Sequence, residues 1–213
     1  MTDTEQSLLA LLRRALFGQD TPLPPDADWQ SIFEEAASHS VHLLVYDCLT
    51  EQERAAIPKE TAVPWRQEVL SAMWYNEQLL GEQQTVLKAL SAFPCVILKG
   101  SSSAACYPRP ELRCAGDIDL LLFPADVKKA EAILCAGGYC PPEDNHPFHR
   151  SMHREQFLVE LHFEPPGIPS GDSGAPLREY FRYAAGEGVL RGESRHGSAW
   201  SSLPCTPRCR RRL

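Results

Sequence analysis

"ELRCAGDIDLLLF", residues 111–123, sets Asp117 and Asp119 one residue apart inside an aliphatic run. Side chains alternate between the faces of a strand, so the two carboxylates project to one side while Ile118 and Leu120 point to the other. Anions so placed repel, and each raises the other's pKa unless a cation lies between them. A divalent ion resolves the conflict, because Mg2+ takes one or two carboxylates together with water and substrate phosphate oxygens. The structural alternative is that one aspartate caps a turn and the other meets a surface arginine. The flanking segments decide between the two.

Upstream, "CVILKG" (95–100) has the pattern of a short buried strand ending in Gly100, and "SSSAACY" opens a helix directly after it. The first N–H groups of that helix and the hydroxyls of Ser101 to Ser103 would face an anion. Downstream, "PADVKKAEAILCAGGY" is an amphipathic helix closed by Gly137 and Gly138, and "QFLVELHF" (156–163) is a third strand with Glu160 and His162 on one face. Strand, helix, strand, helix and strand in succession predict an α/β (α+β) fold, a small sheet with flanking helices. A phosphate-binding turn on one strand, two acids on a second and another acid on a third describe a two-metal phosphoryl-transfer site.

With these residues in hand, "KGSS…GDIDLLL…VELHF" resembles the nucleotidyltransferase superfamily built on the DNA polymerase beta-like catalytic fold. More narrowly, "ILKGSSSAACYPRPELRCAGDIDLLL" with the acid–Leu–His strand is similar to the bacterial uncharacterised nucleotidyltransferases of the "LKG…YP…R…GDIDLL" type. The likeness spans roughly residues 94–164. It implies a Mg2+-dependent enzyme with two ions that moves a nucleoside monophosphate from an NTP, such as ATP, to an acceptor and releases pyrophosphate. Position by position, Gly100, Ser101 and Ser102 would meet the nucleotide's phosphates, and Asp117 and Asp119 would be metal ligands. Glu160 would be the third acid, catalytic and metal-binding, which helps activate the attacking hydroxyl. Lys99 and Arg113 stand near enough in sequence to neutralise triphosphate charge. A salt-bridged Lys99 and a solvated Arg113 are their structural alternatives. The interval from Ser101 to Asp117 is longer than in many superfamily members, and Glu replaces a frequent Asp at 160. The acceptor, whether RNA, a protein or a small molecule, is not written in these motifs.

Two rival functions use the same residues. One is a catalytically weak or inactive interaction protein of toxin–antitoxin or regulatory type. The other is an unrelated metal-dependent hydrolase. A zinc site is suggested by His146, His149 and His153 of "HPFHRSMHR" together with Cys140, but their intervals lack the paired spacing of such sites. That segment reads as a polar turn region, and His162 is the histidine placed nearest the acids.

The first ninety residues read as helices. "TEQSLLALLRRALFG" carries leucines on one face and stops at Gly18, and Asp28 caps "WQSIFEEAASHS". "VHLLVYDCL" continues as another helix. The longest helix should begin near Pro64, with Val69, Met73, Leu80, Leu87 and Leu90 as its apolar stripe. The domain reading is therefore a helical region at 1–92, a catalytic core at 93–185 and an irregular tail at 186–213. Its last residues, rich in Ser, Pro, Cys and Arg, read as translation outside the native frame or as a basic tail.

Composition narrows the partners. Of 213 residues 43% are hydrophobic, enough for a substantial core, and the net charge is −7. Residues 191–213 carry six Arg and one Glu, so the body stands at −12. Such a body offers no broad basic nucleic-acid surface, and it can bind a nucleotide if divalent ions supply the positive charge. No apolar run approaches a membrane span and the N-terminus lacks a basic–apolar leader, so the expected location is cytoplasmic. The eight scattered cysteines are expected to be free thiols.

Overall fold

The computed structural model describes residues 1–141, 146–164, 167–169 and 171–179. The tail at 186–213 and most of "LREYFRYAAGEG" lie outside the described residues. Two compact units emerge. The first holds residues 1–78 with 104–115, and the second holds 79–103 with the described residues from 116 onward.

The first unit is helical: α1 (Asp3–Phe17), α2 (Trp29–Ser38), α3 (His42–Asp47), α4 (Glu51–Ala56) and the N-terminal part of α5 (Lys59–Ala89). Thr2 and Thr50 build capping boxes with Glu5 and Glu53, and the Asp28 side chain accepts from the Ser31 N–H at the start of α2. Gly18 ends α1 at φ 65°, in the left-handed region that only glycine enters without strain. Trp65 is fully buried. Its ring stacks on Phe33 with centroids 5.2 Å apart and its indole N–H donates to the His42 carbonyl at 3.2 Å. Leu11, Ile32, Ala36 and Val45 complete that core. Arg14 joins Glu53 at 2.7 Å and Asp20 at 2.9 Å.

Helix α5 differs from the reading of its sequence. It starts at Lys59, five residues before Pro64, which sits inside it. The Pro58 carbonyl accepts the first helical N–H groups, of Thr61 and Ala62. Proline at 64 leaves the Glu60 carbonyl without its helical donor, and exposure of Glu60 lets water serve instead. The buried stripe runs through Trp65, Val69, Asn76, Leu79, Glu82, Val86 and Leu90, and Met73 lies 38% exposed. Two polar residues interrupt the stripe because each has buried work. The Asn76 amide donates to the carbonyls of Glu111 and Arg113 and accepts from the Ala115 N–H.

The second unit is a four-stranded mixed sheet in the order β1 (Cys95–Leu98), β2 (Ile118–Leu122), β4 (Phe157–His162), β3 (His149–Arg154). β1 runs antiparallel to β2, β2 parallel to β4, and β3 antiparallel to β4. The short helix α6 (Gly100–Ala104) follows β1, and α7 (Val127–Ala136) follows β2. One sheet face is apolar: Ile118, Leu120, Leu122, Met152, Val159 and Leu161 are all buried, as are Val127, Ala130 and Leu134 of α7. Strand β3 corrects the expectation of a turn. In "HRSMHR" only Met152 is both apolar and buried, so the alternation that marks a strand is nearly invisible in the letters.

Glu82, on the last turns of α5, is buried and ion-paired to Arg154 at the end of β3; it also accepts a hydrogen bond from the Tyr139 hydroxyl. The Arg154 guanidinium lies 4.8 Å from the Tyr139 ring centre. Burial, and then the bond to Glu82, hold the Tyr139 phenol well above its usual pKa. Cys48, Cys95, Cys114, Cys135 and Cys140 are free thiols, and burial pushes the Cys48 thiol up to about 11. Among the described residues no helix is long and apolar enough to cross a membrane.

Candidate active site

The polar face of the sheet gathers the acids. Parallel pairing sets Asp119 directly beside Glu160 and Leu121 beside His162. On the other side of β4, antiparallel pairing sets Ser151 beside Glu160 and His149 beside His162. Residues with these registers share a face, so Asp119, Glu160, His162 and His149 converge. Asp117 stands just before β2 and joins them. One oxygen from each of Asp117, Asp119 and Glu160 lies within 4.8 Å of the others.

Asp119 is the buried centre of this group, its side chain 1% exposed. His162 Nε2 lies 2.8 Å from Asp119 Oδ1 and 3.1 Å from a Glu160 oxygen. The Lys99 ammonium donates to Oδ1 at 3.2 Å and stands at the same distance from Oδ2. Burial works to raise the Asp119 pKa. The His162 and Lys99 contacts outweigh it and hold the carboxyl below its ordinary range. Even so, Asp119 Oδ2 is buried with no partner in hydrogen-bonding geometry among the described residues. A buried carboxylate oxygen in that state fits a cation.

The turn after β1 is held in an unusual conformation. Lys99 and Gly100 both have left-handed backbones, φ 51° and 44°. For lysine this costs about 1 kcal/mol, and it places the residue whose ammonium covers Asp119. A Cβ at Gly100 would stand 3.9 Å from the Asp117 carbonyl, so conformation rather than room restricts that position. The hydroxyls expected to face an anion are engaged locally: Ser101 Oγ donates to Gln83 at 2.9 Å and Ser102 Oγ to the Lys99 carbonyl at 2.5 Å. Arg113 belongs to the helical unit, where its guanidinium donates to the Cys114 carbonyl at 3.3 Å.

The histidines sort differently from their order in sequence. His153 is exposed on β3, and its carbonyl accepts the Cys140 N–H at 2.8 Å. His146 stacks on His149 with ring centres 3.8 Å apart. His149 instead turns to Glu160, 3.6 Å away, and to His162. Its part in the acid cluster was missed because it depends on the β3–β4 register, for which sequence spacing gives no signal.

A helical region followed by a small mixed sheet, with three carboxylates on neighbouring strands beside a Gly–Ser turn, defines a nucleotidyltransferase-type fold. Residues 25–172 match the family model described as an uncharacterised nucleotidyltransferase, and the chain belongs to that family. Neither curated proteins nor solved structures gave a match.

Proposed function

We propose that the protein is a Mg2+-dependent nucleotidyltransferase that transfers an NMP from an NTP to an acceptor and releases pyrophosphate. The observation that carries this reading is the convergence of Asp117, Asp119 and Glu160 within 4.8 Å. Those three carboxylates would hold two Mg2+ ions, which supply charge neutralisation and alignment for an in-line displacement. Asp119 is kept ionised by its two cationic or hydrogen-bonding neighbours, so a ligand carboxylate is present at neutral pH without competition from protons. Glu160, partly exposed where Asp119 is sealed, would help activate the acceptor hydroxyl. The Lys99 ammonium, half exposed, faces both Asp119 and solvent and would meet an incoming phosphate there. Gly100, Ser101 and Ser102 form the turn on which the phosphates would rest, through the Gly100 and Ser101 N–H groups, because the Ser102 N–H and the Ser101 and Ser102 hydroxyls already have partners.

The test is NTP binding with and without Mg2+. Wild type should bind only with the ion, and Asp117→Asn/Asp119→Asn should lose that dependence; equal binding by both overturns the metal assignment. The engagement of Asp119 by Lys99 and His162 favours a second reading, a binding protein that neutralises its acids with its own side chains. Pyrophosphate release across a panel of NTPs and acceptors separates the two, since a binding protein yields none.

A further inference from the structure

The oxygen-only cluster does not account for the two imidazoles beside it. His149, Glu160 and His162 form a second group whose ligand atoms all lie within 4.8 Å of one another, and it shares Glu160 with the first. Around Glu160 and Asp119 the measured separations are 2.8 Å for His162 Nε2 to Asp119 Oδ1, 3.1 Å for His162 Nε2 to Glu160 Oε2, and 3.6 Å for His149 Nε2 to Glu160 Oε1. Ligands bound at about 2.1 Å to one ion stand roughly 3.0 Å apart in octahedral and about 3.4 Å apart in tetrahedral geometry. One ligand atom from each of the three residues stands within 4.8 Å of the other two, close enough for all three to reach one ion.

Hydrogen bonding accounts for His162 against Asp119 and leaves the donor set as a whole open to a further ligand. His162 Nε2 has one proton at most, yet it faces two carboxylates from a side chain only 4% exposed. His149 Nε2 stands 3.6 Å from Glu160 Oε1, an ion-pair separation that puts a second imidazole beside the same carboxylate. His146 stacked on His149, with planes 23° apart, fixes the plane of that ring. A cation accepts the lone pairs of all of these atoms at once.

We infer that His149, Glu160 and His162, with Asp119 Oδ1 adjoining, form a binding site for a first-row transition-metal ion of the Mn2+, Co2+ or Zn2+ class. The donor chemistry selects it: imidazole nitrogen suits such ions, whereas Mg2+ takes oxygen and gives up its water reluctantly. The inference rests on the proposed reading for the role of the acids and deepens it by naming the metal class. Of the two ions, the one on the Asp117 side is Mg2+-like and the one on the His149 side is not, with Glu160 between them. Binding requires His162 to carry its proton on Nδ1, which is buried with no hydrogen-bond partner among the described residues, so that the Nε2 lone pair now facing Asp119 serves the ion.

Co2+ serves as the probe, in equilibrium dialysis and visible absorption of the full chain under excess Mg2+. Wild type should retain Co2+ and show ligand-field bands. His149→Ala should weaken retention by about tenfold or more, and His153→Ala, at an exposed histidine of the same strand outside the cluster, should leave it unchanged. Pulsed EPR of the Mn2+-loaded wild type gives an answer that needs no variant, since directly bound nitrogens appear as hyperfine coupling. Absence of retained Co2+, of nitrogen coupling, or of any effect of His149→Ala in a folded variant overturns the site. Mg2+-dependent NTP binding without Co2+ retention removes this inference and keeps nucleotidyl transfer; Co2+ retention without NTP binding does the reverse.

Discussion

The two faces of one sheet, separated by the thickness of a strand, follow opposite rules. On one face Ile118, Leu120, Val159 and Leu161 are sealed from water and each can be replaced only at the expense of packing. On the other, Asp119, Glu160, His149 and His162 gather charge and lone pairs that add little to cohesion without a ligand. Because β2 and β4 alternate strictly and lie in register, Leu120 beside Leu161 guarantees Asp119 beside Glu160. The apolar face thus sets the geometry of the polar one to the ångström.

The comparison can be broken most strongly from the apolar side. Leu161→Ala removes a fully buried side chain from the central strand and should destabilise the protein by about 2–5 kcal/mol in denaturant unfolding. From the polar side, Asp119→Asn should weaken Mg2+-dependent nucleotide binding by about tenfold or more, roughly 1.4 kcal/mol. Its unfolding midpoint should shift less than that of Leu161→Ala. A reversed order of the two stabilities would show that the charged face also carries the fold.

The smallest effect sharpens the boundary between the faces. Tyr139→Phe removes the hydroxyl that donates to buried Glu82 and should cost about 1 kcal/mol near neutral pH. The Tyr139 pKa is raised in the folded state, so its contribution is complete below the unfolded tyrosine value of about 10 and declines as pH rises beyond it. Wild type should therefore lose its advantage over Tyr139→Phe above that pH, as read by melting temperature across an alkaline series.

What the letters disclose follows the same division. β1, β2 and β4 are legible because apolar residues recur in short runs, and Asp117, Asp119 and Glu160 are legible as interruptions of those runs. Gly18 and Asp28 announce helix ends through conformation and capping. β3 is illegible, since a strand with one buried apolar residue looks like a polar connection, and with it went the partner of Glu160. Pro64 has the look of a helix boundary, yet α5 runs through it at the loss of one helical hydrogen bond whose carbonyl, on exposed Glu60, is open to water. The engagement of Ser101, Ser102 and Lys99 by Gln83, a backbone carbonyl and Asp119 is tertiary, and no local pattern encodes it.

The parallel pairing of β2 with β4 also bears on how the protein is made. Asp119 leaves the ribosome about forty residues before Glu160, and α7 and β3 must be laid down between them. A nascent chain halted ahead of β4 has β2 paired with β1 alone and its aspartates without Glu160, and closing so long a loop is the slow step in acquiring such a contact. The three carboxylates therefore come together only when β4 enters the sheet between β2 and β3.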